Sequence, residues 1–237
     1  DVVELRAGIE SLPIEGYSLS VEKVQRKGLA ATKFDVRLKS QKQPHRHLSH
    51  VVEILRGGQL PERVRDLAVH AFERLAQAEA AVHGTTIDKV HFHEVGAVDA
   101  IVDVAGAMLA LDLLGIERVV CSPVPVGSGT VECEHGTIPV PAPATARLLL
   151  GVPIAPTPEP GELTTPTAAA VLTSVASEFG PAPSMSLMGM GYGAGTREGE
   201  TRPNVLRVMI GEATVGPAPE DTVVQLETNL DDSTPEV

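Results

Sequence analysis

Lys89-Val-His-Phe-His-Glu94, followed closely by Val98-Asp-Ala-Ile-Val-Asp-Val-Ala-Gly-Ala-Met-Leu-Ala-Leu-Asp-Leu-Leu114, is the stretch on which the fold turns. The second string is long, rich in Ala, Leu and Met and closed by Gly115, which predicts a helix. Nearly every position in it is apolar, so the helix must be covered on most sides. Yet it carries Asp99 and Asp103, spaced by four and therefore stacked on one face. Buried carboxylates without partners are costly, so two side by side call for a cation or a strong donor network. A metal ion is one solution. An Arg partner is another, and Asp99 alone also fits a helix-start carboxylate facing the dipole. Just upstream, His91 and His93 stand two apart on a segment read as extended, which points both imidazoles the same way. With Glu94, Asp99 and Asp103 they form a ligand set within 13 residues, suited to nickel, zinc, iron or manganese.

On the N-terminal side, Tyr17–Val24 and Leu29–Leu38 alternate with period two around a turn at Gly28, the pattern of half-buried strands. A polar loop from Ser40 to Ser49 holds Pro44 and three histidines and leads into a helix capped by Ser49. Val64, Leu67, Ala68, Ala71, Phe72 and Leu75 then recur at helical spacing between Pro61 and His83-Gly84. On the C-terminal side, 12 of the 19 prolines fall between Cys121 and Pro183. Short helices are expected there near Pro143 and near Thr165-Pro166, where Thr caps and Pro fills the first turn. Gly189–Gly195 reads as a glycine-rich loop, Asn204–Ile210 as a strand, Gly211–Asp221 as a linker and Val223–Glu227 as a last strand. The fold class is α/β or α+β. Helices near 61–83 and 98–114 cover a mixed sheet with strands near 17–24, 29–38, 116–121 and 204–210.

Composition narrows the function. A net charge of −12 with scattered Lys and Arg argues against nucleic acid as a partner, and 3% aromatics with no Trp argues against base stacking. Two cysteines, Cys121 and Cys133, match a reduced, cytoplasmic setting. No apolar run is long enough to span a bilayer. A second tier of chemistry-bearing residues remains. His45, Arg46 and His47 beside the Ser49 helix start, and Thr164 and Thr165 beside the next, suit an anionic group at a helix N-terminus. Cys133-Glu-His135 offers His135 as a further metal-ligand candidate, although an ordinary strand pair is the better single reading of it. Glu227-Thr-Asn-Leu-Asp-Asp232 gathers oxygen ligands for a hard cation or forms a solvated turn.

Taken in order, several strings closely resemble the LarC-type nickel-insertion proteins. They are His45-Arg-His-Leu48, Val90–Asp103, Pro125-Val-Gly-Ser-Gly-Thr130, His135-Gly136 with Pro139–Ala144, Gly161–Thr167 and Glu227–Asp232. The resemblance runs from Tyr17 to the end. It implies insertion of nickel(II) into pyridinium-3,5-bisthiocarboxylic acid mononucleotide, making the nickel-pincer nucleotide cofactor of lactate racemase. It also implies use of CTP, promotion by manganese or magnesium, and release of CMP and diphosphate. On this reading residues 1–212 are a nickel-insertion domain incomplete at its start, and 213–237 are a linker and the beginning of a C-terminal domain. The CTP site belongs to that domain, so CTP binding by these residues is not expected. The implied catalytic residues are His93, Glu94 and Asp103, and the metal ligands His91, His93, Glu94, Asp99, Asp103 and His135. His45, Arg46, His47, Thr164 and Thr165 are expected to hold the substrate. Lactate racemase or the sulfur-insertion enzyme of the pathway are the implied protein partners, and a homo-oligomer is compatible. Three other readings use the same cluster: a metal-dependent hydrolase that activates water, a non-catalytic nickel-storage module and a purely structural ion network.

Overall fold

Period-two alternation and helical stripes sort the chain into two layers, a mixed sheet and the helices that cover it. The computed structural model describes residues 1–40, 46–90, 92, 96–133 and 136–214, together with the backbone of 222–228. The order is α1 (Val2–Glu10), β1 (Tyr17–Arg26), β2 (Leu29–Leu38), α2 (Leu48–Gly57), α3 (Glu62–His83), α4 (Val98–Leu113), β3 (Arg118–Cys121), β4 (Val124–Pro125) and β5 (Gly127–Ser128). Then follow β6 (Thr130–Cys133), β7 (Gly136–Pro139), α5 (Pro143–Leu148), β8 (Ile154–Ala155), β9 (Gly161–Glu162) and α6 (Pro166–Val175). Strands β10 (Ala176–Phe179), β11 (Met185–Ala194), β12 (Val205–Ala213) and β13 (Thr222–Thr228) close the described chain.

The main sheet runs β1-β2-β11-β12-β13-β3-β10. Its hairpins β1–β2, β11–β12 and β12–β13 are antiparallel, whereas β2–β11, β13–β3 and β3–β10 are parallel. The mixed α/β class, the strands near 17–24, 29–38, 116–121 and 204–210 and the helices near 61–83 and 98–114 are all observed. Strand β13 lies between β12 and β3, in the same sheet as the residues before 212. No described helix is long and apolar enough to cross a membrane.

Helix α3 buries Val64, Ala68, Ala71, Phe72, Leu75 and Ala76, the stripe its spacing predicts, and ends where Gly84 takes a φ of +61°. Phe72 meets Phe92 edge to face at 6.1 Å, and both rings are buried. At about 2 kcal/mol for each buried large apolar side chain, this pair is a strong local anchor. It fixes Phe92 in the core. Helix α6 starts as expected, with Thr165 Oγ1 accepting from the Ala168 N–H at 3.2 Å and Pro166 in the first turn.

Three local readings need correction. Gly189–Gly195 is not a loop, because β11 extends to Ala194 and pairs with β12 from Met185↔Ala213 to Ala194↔Val205. Glycine's poor strand propensity is overridden there by a continuous ladder. Gly211–Ala213 complete β12 and do not begin a linker. Helix α2 begins at Leu48, with His47 rather than Ser49 as its capping position.

Candidate functional site

Helix α4 is the most enclosed element. Val98, Ile101, Val102, Val104, Ala105, Met108 and Leu109 are all buried. Gly106 lets α1 come close, since a Cβ there would stand 3.2 Å from Ile9 Cδ1. The face left over carries Asp99, Asp103 and Ala107. Asp99 sits in the first turn, where the helix dipole favours a carboxylate. Its Oδ1 is nevertheless buried without a hydrogen-bond partner among the described residues. An unsatisfied buried acceptor costs about 1–3 kcal/mol. Asp103, one turn on, is exposed by area but stands in the wall of a deep cavity. Burial, followed by the negative charges of Asp99 and Asp35, pushes its pKa from 3.8 up to about 6.

Asp35 was not a candidate from sequence. It projects from β2 between Arg37 Nε at 3.0 Å and Lys33 Nζ at 3.1 Å. Hydrogen bonds from Arg37 and Lys33 hold its carboxyl below the ordinary carboxylate range. The alternation Lys33-x-Asp35-x-Arg37 was the available signal, and it reads equally well as a solvated strand face.

The tertiary structure brings the two histidine-bearing segments side by side. The Phe92 N–H donates to Arg46 O at 3.0 Å in an antiparallel bridge. His47 Nδ1 lies 3.1 Å from Val90 O. A carbonyl only accepts, so the proton of this contact is on Nδ1. Arg46 Nη1 donates to Gly96 O at 2.8 Å, which ties the segment to the turn before α4, and burial lowers the Arg46 pKa. His45, His91, His93, Glu94 and His135 lie outside the described residues. Among the described residues no three His, Cys, Asp or Glu side chains converge to hold a metal ion.

Between α4, α6, the β11–β12 ribbon and residues 195–204 opens a cavity of about 670 Å³. That volume falls within the range of small-molecule sites. Asp103 lines it, and so do Thr164 and Thr165. Both threonine hydroxyls are engaged: Thr164 donates to Pro125 O at 2.7 Å, and Thr165 accepts from Ala168 N–H. Thr165 keeps its own hydroxyl proton to donate.

Sequence reasoning missed Glu159, which is 2% exposed and also lines the cavity. Its carboxylate accepts from the Glu200 N–H, the Thr201 N–H at 3.0 Å and the Thr201 hydroxyl. Burial alone would raise its pKa. The Thr201 hydroxyl, the two backbone donors and the Arg202 charge outweigh burial and hold it below the ordinary range. Glu159 thereby clasps the loop that carries Arg197 and Arg202. In sequence it is one acidic residue between two prolines, with nothing to mark it.

The sequence matches the nickel insertion protein family over residues 1–237. It is 48% identical over 237 residues to a Geobacter metallireducens protein, covering 100% of this chain and 60% of that one. It is 49% identical over 226 residues to a Geotalea uraniireducens protein, covering 95% and 57%. Both relatives are provisionally named as nickel insertion proteins. A Geobacillus kaustophilus protein, 43% identical over 246 residues with 97% and 60% covered, is named as a pyridinium-3,5-bisthiocarboxylic acid mononucleotide nickel insertion protein. The chain spans about three fifths of the length of these relatives. No solved structure matches it.

Proposed function

Because the chain belongs to the nickel insertion protein family, we propose that it inserts nickel(II) into pyridinium-3,5-bisthiocarboxylic acid mononucleotide. The product is the nickel-pincer nucleotide of lactate racemase. Consumption of CTP with manganese or magnesium belongs to the reaction of the whole protein. The observation that carries the reading is the α4 carboxylate pair. Asp99 has a buried oxygen without a partner among the described residues, and Asp103 one turn later opens into a cavity of ligand size.

Nickel is the cargo. His91, His93, Glu94, Asp99 and Asp103 present nitrogen and oxygen donors, with His135 as a further ligand. The thiocarboxylate sulfurs of the substrate are softer and compete well for the ion. Two nickel–sulfur bonds form, and one nickel–carbon bond replaces a ring carbon–hydrogen bond. The carbon keeps the bonding pair and the proton leaves, so nickel stays divalent and no oxidant or reductant is required. Accepting that proton falls to a carboxylate or imidazole of the same set, Asp103, Glu94 or His93. Steadying the nucleotide is assigned to Arg46, His47, His45, Thr164 and Thr165, of which Thr164 and Thr165 line the cavity.

The test is a nickel titration by calorimetry on the wild type, His91→Ala/His93→Ala and Asp103→Ala. Product formation is then followed by mass spectrometry with the same substitutions placed in the whole protein, supplied with CTP and manganese. Saturable binding in the wild type, lost in the variants together with product, supports the reading. Binding without product identifies a storage module, and normal insertion by the variants removes the cluster from the mechanism.

A further inference from the structure

On its sheet side the cavity is lined by Gly193 beside Leu206 and Val208. Gly189, Gly191 and Gly193 alternate along β11 and so share one face of the sheet. Gly191 stands opposite Val208 and Gly193 opposite Leu206, and both partners line the cavity. A Cβ at Gly191 would meet nothing within 4 Å, and one at Gly193 only Leu206 O at 4.0 Å. None of the three takes a positive φ, so the backbone conformation does not require glycine there. What glycine provides at 191 and 193 is exposed backbone with no side chain over it.

The opposite walls are apolar. They come from Ala107 and Leu111 of α4 and Ala168 and Val171 of α6. A slot with bare backbone at Gly193 on one side and apolar side chains on the other fits a planar ring. Its charged groups lie on two walls, and the Glu159 carboxylate, beside Arg202, is occupied by the Glu200 and Thr201 donors. The Asp103 carboxylate is on the α4 wall, whereas Arg197 and Arg202 are on the wall formed by residues 195–204. The arginines are already positioned. Arg197 Nη2 donates to Glu162 O at 3.2 Å and Arg202 Nη2 to Thr157 Oγ1 at 2.8 Å. Guanidinium groups held in place match a phosphate, and a carboxylate matches a positively charged ring.

From these features we infer that the cavity is the binding site of the pyridinium mononucleotide. The ring lies over Gly193 with its positive charge towards Asp103, and the phosphate is taken by Arg197 and Arg202. This rests on the nickel-insertion reading and places the ring beside the α4 carboxylates that hold the metal.

Filling the slot from either side tests it. Gly193→Leu fills it from the sheet, where the structure leaves room, and Ala107→Phe fills it from α4. The probe is pyridinium-3,5-dicarboxylic acid mononucleotide, the oxygen analogue of the substrate, titrated by calorimetry in the presence of a chelator. Each variant is checked for an unchanged thermal melt and unchanged nickel affinity. Binding by the wild type, weakened at least tenfold in the folded variants, is the expected result. No binding by the wild type, or affinity within twofold of wild type in both variants, overturns the inference; if only Gly193→Leu folds, it decides alone. The insertion assay separates the two readings. Nucleotide bound in the cavity with no nickel product sinks the insertion reading alone, and nickel product with unaffected binding in the filled variants sinks the cavity alone.

Discussion

Replacing Asp103 with Asn should stabilise the metal-free protein at neutral pH. The carboxyl is pushed from 3.8 up to about 6 by burial, with Asp99 and Asp35 adding to the effect. A folded pKa above the unfolded value means that folding favours the protonated form. That contribution is fully present below about pH 4 and is lost as pH rises through about 6. At pH 7.5 the ionised side chain therefore weighs against the fold. Unscreened, the difference would amount to about 3 kcal/mol. The side chain is open to solvent through the cavity, however, so screening leaves about 1 kcal/mol as the working magnitude. For a chain of this length that is about 2–4 °C in Tm. The assay is thermal unfolding of wild type and Asp103→Asn with chelator present, at steps from pH 7.5 to pH 4. The gain should be largest at pH 7.5 and shrink towards zero between pH 6 and 4. An equal gain at every pH would refute the electrostatic argument. A loss at pH 7.5 would mean that the ionised carboxylate has a stabilising donor, contrary to the structure. The same variant should bind nickel poorly, so the group that costs stability is the one the proposed activity needs.

Glu159→Gln should destabilise the protein by about 1.5–3 kcal/mol in urea unfolding, because a charged acceptor of several hydrogen bonds is replaced by a neutral one. Here the sign is reversed. The folded pKa lies below the ordinary 4.5, so the Glu159 contribution is complete above that value and lost as pH falls through the folded pKa. The gap between wild type and variant should therefore close in acid; a constant gap would argue against it. Gly127→Ala should cost more than about 1 kcal/mol, since φ is +93° and the new Cβ would collide with the Gly161 carbonyl oxygen. Gly191→Ala, facing open space at an ordinary φ, should be neutral or raise stability by up to about 1 kcal/mol. Equal losses at the two positions would show that the β11 glycines have a structural role and are not simply exposed backbone.

Local chemistry carried much of the fold. Helices α3 and α4, the β1–β2 hairpin and the start of α6 were all legible, because periodicity, a capping Thr and turn glycines act within a few residues. The α4 carboxylates stood out for the same reason, as charges in an apolar helix. Other features depend on residues far apart in sequence. Gly189–Gly195 looks like a loop until β12 pairs with it. Arg46 and Phe92 are 46 positions apart, and their segments meet through a backbone bridge and the contacts of Arg46 and His47. Asp35 influences Asp103 only because β2 packs against α4. Glu159 gains its role from the Glu200 and Thr201 donors about 40 residues away in sequence, a clasp no local pattern encodes. By itself the sequence determined which segments coil, which extend and where histidines and carboxylates concentrate, since those preferences are settled by near neighbours. The tertiary structure alone decided the cavity, its bare backbone at Gly193 and the charges on its walls, because an enclosed volume exists only between surfaces contributed by distant parts of the chain.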